Sequence, residues 1–108
     1  MPMFPEFKIG DDLVILFPQV KDALGALMPV DGATLQCALK RRGSTDTPIS
    51  ATSTSVSASG ARAYFARGVL VLTADAIYDY DGLMILASGD YHTVGKGSFQ
   101  ARARVTPD

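Results

Sequence analysis

Between Val30 and Gly43 the chain reads VDGATLQCALKRRG, and side chains of alternating character follow directly on the turn-forming pair Asp31-Gly32. Ala33, Leu35, Cys37 and Leu39 fall on one side, Thr34, Gln36, Lys40 and Arg42 on the other, and only Ala38 interrupts the polar side. A period of two predicts a half-buried β-strand, because successive Cβ atoms point to opposite faces of a sheet. Such a strand cannot bury its apolar side alone, so the remaining segments must supply a facing layer.

Several can. Leu13 to Phe17, LVILF, is an unbroken apolar run between Asp11-Asp12 and Pro18, which suits a strand covered on both faces. In residues 19–31, Val20, Leu24 and Leu27 have helical spacing, but Gly25 and Pro29 hold any helix to about two turns, so a loop with at most a short helix is expected. Ten of the sixteen residues from Ser44 to Ser59 are Ser or Thr, and no apolar face builds up there. That stretch reads either as a mobile loop or, over Pro48 to Ser57, as a solvated strand at a sheet edge with weakly specified register.

Next, ARAYFA and VLVLT flank Arg67-Gly68 in the manner of a hairpin. The segment TADAIYDYD alternates up to Asp81-Gly82, the strongest turn signal in the chain, and LMILAS follows. Gly-punctuated turns are expected from Gly89 to Ser98. A last strand, SFQARARV, then points Phe99, Ala101, Ala103 and Val105 inward and Gln100, Arg102 and Arg104 outward. Seven or eight short antiparallel strands about ten residues apart predict an all-β chain, a single small β-sandwich; a small barrel leaves the same trace.

With 108 residues there is room for one core, in a sandwich over residues 11–108 behind an extended N-terminal arm, residues 1–10. The arm carries Pro2, Phe4, Pro5 and Phe7. It either lies along its own domain or docks on a neighbouring subunit, where a Pro-restricted segment loses less entropy. Ten Asp, one Glu and many hydroxyl residues favour turns and strands over helices. A formal net charge of -1 argues against binding to nucleic acid or to an anionic membrane through overall charge, and no apolar run approaches a membrane-spanning length. One cysteine, on the apolar side of its strand, and a start without the layout of a secretory signal suggest a chain made in a reducing cytoplasm.

Reaction chemistry finds little support. One His, one Cys and no pair of Glu cannot build a zinc or iron site, and Asp11, Asp12, Asp79, Asp81 and Asp90 match no calcium loop. His92 stands in the turn-like GDYHTVGKG, and Gly95-Lys96-Gly97-Ser98 lacks the spacing and the following helix of a phosphate loop. No catalytic residue, cofactor, metal or small-molecule substrate is therefore expected. More weight falls on Lys40, Arg42, Arg102 and Arg104: if their strands were neighbours they would form one positive stripe, either a solvated sheet face or a contact for an acidic protein partner. No aromatic residues interleave with them, which disfavours nucleic acid. Tyr78 and Tyr80 share a strand face and, with Tyr64 and Tyr91, read either as core or as an aromatic platform for a carbohydrate or peptide.

Pro29-Val30-Asp31-Gly32-Ala33-Thr34 entering a strand that ends in Lys40-Arg41-Arg42, together with the closing strand from Gly97, Ser98 and Phe99 to Val105-Thr106, gives the chain a further reading. Over residues 20–106 it resembles a family of small immunoglobulin-like β-sandwich domains of tailed-bacteriophage virion proteins, including the amino-terminal domains of upper-baseplate proteins. This sequence departs from that pattern in having no apolar residue and hydroxyl between Asp31 and Gly32. The resemblance implies a non-enzymatic virion subunit, made in the host cytoplasm, whose partners are other virion proteins and copies of itself. Phe4, Phe7, Lys40, Arg42, Arg102 and Arg104 are its candidate contact residues.

Overall fold

The alternation that follows Asp31-Gly32 becomes a strand, Thr34–Arg41, with Leu35, Cys37 and Leu39 buried. A computed structural model of the chain describes residues 4–18, 24, 30–57 and 60–103. Its strands are β1 (Glu6–Lys8), β2 (Leu13–Phe17), β3 (Thr34–Arg41), β4 (Ile49–Ser50), β5 (Ser53–Ser57), β6 (Gly60–Phe65), β7 (Ile77–Ile85) and β8 (Tyr91–Arg102). They form a five-stranded sheet in the order β1-β8-β7-β3-β4 and a three-stranded sheet in the order β2-β6-β5. The two pack face to face as an all-β sandwich, and Leu39, Ala63, Phe65, Met84 and Ala101 are fully buried. Residues 19–23 and 25–29, where at most a short helix is expected, and Arg104 and Val105 lie outside the described residues.

Part of the expected arm belongs to the sandwich. Glu6–Lys8 pairs with Gln100–Arg102 and runs parallel to β8, whereas every other pairing among the described strands is antiparallel. The Ser/Thr-rich segment supplies two strands. β4 closes one edge of the five-stranded sheet, β5 closes one edge of the other, and the chain changes sheets where Ala51 N–H donates to the Cys37 carbonyl and Thr52 N–H to the Tyr64 carbonyl.

Several local expectations are corrected by tertiary context. LVILF is covered on one face only: Ile15 and Phe17 are buried, but among the described strands β2 lies at a sheet edge with nothing packed on its outer side, and Val14 and Leu16 are exposed. VLVLT does not pair with ARAYFA, because β6 already has β2 on one side and β5 on the other. A 3-10 turn at Arg67–Val69 forms instead, its first N–H donated to Asp12, and only Leu70 of the run is buried. Ala103, expected inward, is exposed just beyond the end of β8.

Asp81-Gly82 is not a turn either, and Gly95 and Gly97 lie inside β8. Gly82 pairs with Gly95, and the ring of Phe17 from the opposite sheet occupies the space their side chains would take. A Cβ on Gly82 would stand 2.6 Å from Phe17 Cζ, and one on Gly95 2.7 Å from Phe17 Cδ1. These glycines mark a close approach of an aromatic ring to backbone, the other common reason for glycine in a strand.

Candidate interaction surface

The outer face of the five-stranded sheet carries four of the candidate contact residues, Phe4, Lys40, Arg42 and Arg102. β7 lies between β3 and β8, so Lys40 and Arg42 are not next to Arg102, and the expected positive stripe is broken by carboxylates. Arg42 grips Asp79 with two donors, Nε to Oδ2 at 3.2 Å and Nη2 to Oδ1 at 2.6 Å. Ser98 Oγ donates to the same Oδ1 at 2.6 Å and accepts from Arg42 Nη2 at 3.1 Å. The Arg42 guanidinium stacks over the Phe4 ring, 5.1 Å from its centroid, a cation–π arrangement that ties the arm to β3. Arg102 is held by Glu6 and Asp75, and Arg41 by Asp46. Arg104 lies outside the described residues.

Phe7 takes a different position. It is half-buried on the inner side of β1 and meets Phe99 edge-on at 5.6 Å, so this part of the arm packs on its own domain. The tyrosines do not assemble into a platform. Tyr78 is buried, stacked on Phe99 at 5.7 Å, and its hydroxyl accepts the Thr73 N–H; Tyr80 packs between Phe17 and Phe99; Tyr91 is exposed on the far edge.

Beside the Arg42–Asp79–Ser98 network the sheet dips into a shallow concavity of about 830 Å3, lined by Lys40, Pro48, Asp81, Thr93, Lys96 and Ser98 among others. Asp81 and Ala38 also line an adjoining hollow of about 540 Å3 that reaches Ser50–Thr54. Lys40, Asp81 and Lys96 are exposed and form no ion pair among the described residues. Asp79, Asp81, Lys96 and Ser98 escape a reading of the sequence, because only the registers Lys40 with Asp79, Asp79 with Ser98 and Asp81 with Lys96 bring them onto one patch.

Hydrogen bonds from Arg42 and then Ser98 hold the Asp79 carboxyl below its ordinary value of about 3.8. A carboxyl depressed on folding contributes stability that is present above its unfolded value and is lost as pH falls through the folded one. The gap in thermal midpoint between the wild type and Asp79→Asn should therefore be constant near neutrality and shrink below about pH 4. A gap that is the same at pH 3 and pH 7, measured by circular dichroism melts, would contradict this geometry.

Cys37 is buried in β3, and burial, followed by the charge of Asp81, pushes its thiol up to about 11, so it stays protonated and unreactive near neutral pH. His92 lies within β8, opposite buried Met84. Among the described residues no three His, Cys, Asp or Glu side chains come together to hold a metal, and no helix is long and apolar enough to cross a membrane.

No protein-family model matches the chain, and neither a curated protein nor a solved structure matches it.

Proposed function

We propose that this chain is a non-enzymatic structural subunit of a bacteriophage-like virion, acting in capsid decoration, head–tail connection or the tail through contacts with other virion proteins and with copies of itself. The observation that carries the reading is the concave outer face of the five-stranded sheet. It presents Lys40, Lys96 and Asp81, which form no ion pair among the described residues, beside the Arg42–Asp79–Ser98 network. Exposed charges of both signs around a small apolar floor suit the polar rim of a protein interface, where complementary charges set register and partner choice. A nucleic acid would call for one sign. The motifs around Pro29 to Thr34 and Gly97 to Phe99 add the virion context.

Sedimentation tests this. Particles banded from lysates of the producing cells should carry the chain at a fixed ratio to the major shell protein. The double variant Lys40→Glu, Lys96→Glu should remain folded yet stay in the soluble fraction. Wild-type chain found only as free monomer, with no particle-bound fraction, would overturn the reading.

A further inference from the structure

The register of the five-stranded sheet divides its outer face into two zones. Gly82 and Met84 are buried, so Asp81, Leu83 and Ile85 point outward from β7. Residues directly opposite on neighbouring strands share a face. Ile85 lies beside Tyr91, which is 66% exposed, Leu83 beside Thr93, and Asp81 between Ala38 and Lys96. Ala38, Leu83, Ile85 and Tyr91 thus form an apolar zone. Asp81 and Lys96, with Lys40 one step along β3 from Ala38, form a zone of both charge signs that borders it. Ala38, Asp81 and Leu83 all line the hollow of about 540 Å3, so the border between the zones is open.

The charges on this face are not all used within the chain. Arg42 and Asp79 satisfy each other, and Arg102 is held by Glu6 and Asp75. Lys40, Asp81 and Lys96 are exposed and stand in no ion pair among the described residues. Their signs restrict what fits. A purely acidic surface is repelled at Asp81 and a purely basic one at Lys40 and Lys96, because like charges brought together at an interface are costly. The partner must bring both signs, together with apolar area to set against Leu83, Ile85 and Tyr91. The same face of a second copy has both.

We infer that two copies of this chain pair through the outer faces of their five-stranded sheets, covering Leu83, Ile85 and Tyr91 and setting Lys40 or Lys96 of each copy against Asp81 of the other. This rests on the reading of that face as an interface, and it names the occupant. A two-fold axis makes the contact self-complementary, so every lysine–aspartate pair across it occurs twice. Stacked sheets lie about 10 Å apart, a gap that a lysine and an aspartate side chain bridge between them. Apolar area with charges at its border is also the ordinary anatomy of a protein interface.

Charge reversal tests the pairing. Light scattering on the purified full chain should give twice the mass of one chain, and added salt should weaken the dimer by screening its exposed charges. Lys40→Glu with Lys96→Glu leaves three acids at these positions, and Asp81→Lys leaves three cations. Each variant alone should self-associate at least tenfold more weakly than the wild type, whereas an equal mixture of the two should recover a one-to-one complex. Leu83→Asp, which leaves all three charges in place, should also give monomers. Circular dichroism melts check that each variant is folded, and Asp81→Asn serves for the self-association measurement where Asp81→Lys is not tolerated. A wild-type chain that stays monomeric at millimolar concentration, dimers that the substitutions leave intact, or variants that do not recover on mixing would overturn the inference. The particle reading is judged separately: a particle-bound chain that is monomeric once purified removes only the pairing, and a purified dimer never found on particles removes only the particle.

Discussion

Phe17→Ala should cost the fold about 3–5 kcal/mol, the range for deleting a buried ring. The ring is 5% exposed, lies against Gly82 and Gly95 of the opposite sheet, and meets Tyr80 at 6.5 Å, so its loss opens a void between the sheets that glycines cannot fill. Gly82→Ala acts from the other side of the same contact. Its methyl would overlap a ring with nowhere to move, for about 1–3 kcal/mol of overpacking. Together the two should be less than additive, because alanine at 82 partly occupies the space Phe17 vacates, with a coupling of about 0.5–3 kcal/mol. Urea unfolding of the wild type, both single variants and the double variant measures it. Strict additivity would mean that ring and glycines do not share this space.

Gly60→Ala is the second large effect, and it arises in the backbone. Gly60 begins β6 with φ +143°, a conformation that L residues rarely adopt. A methyl there would stand 2.4 Å from the Phe17 carbonyl oxygen, a backbone atom that the β2–β6 ladder holds in place. The dihedral alone costs about 1–3 kcal/mol, and relieving the overlap requires β2 to shift away from β6. The variant should therefore lose more than a generic strand Gly→Ala and should speed amide exchange across β2. Native-like exchange at Ile15 and Phe17 in Gly60→Ala would show that the two strands do not depend on this approach.

Both effects meet at Phe17, whose partners the order of residues does not announce. As part of LVILF it reads as one apolar residue among five, and the side of the strand it occupies becomes visible only when β2 is known to be an edge. Asp81-Gly82 carries the local chemistry of a tight turn, yet it runs straight through β7 because the ring from the other layer needs a residue without Cβ. The same applies on the outer face. Lys40 and Arg42 were legible as an outward basic pair, but their neighbours Asp79, Asp81, Lys96 and Ser98 come from strands about forty and sixty residues away, and a change of strand order would scatter them.

The sequence by itself determined that the chain is all-β, that Leu35, Cys37 and Leu39 turn inward and Lys40 and Arg42 outward, and that ARAYFA, TADAIYDYD and SFQARARV each contribute to a strand. These follow from a period of two, which each residue expresses through its immediate neighbours. Only the tertiary structure decided which strands lie side by side, that β1 runs parallel to β8, that the Ser/Thr-rich segment divides between two sheets, and that β2 is left with an open edge. Hydrogen-bond partners and facing layers are set by long-range packing, and the same local pattern is compatible with many arrangements until the core is closed.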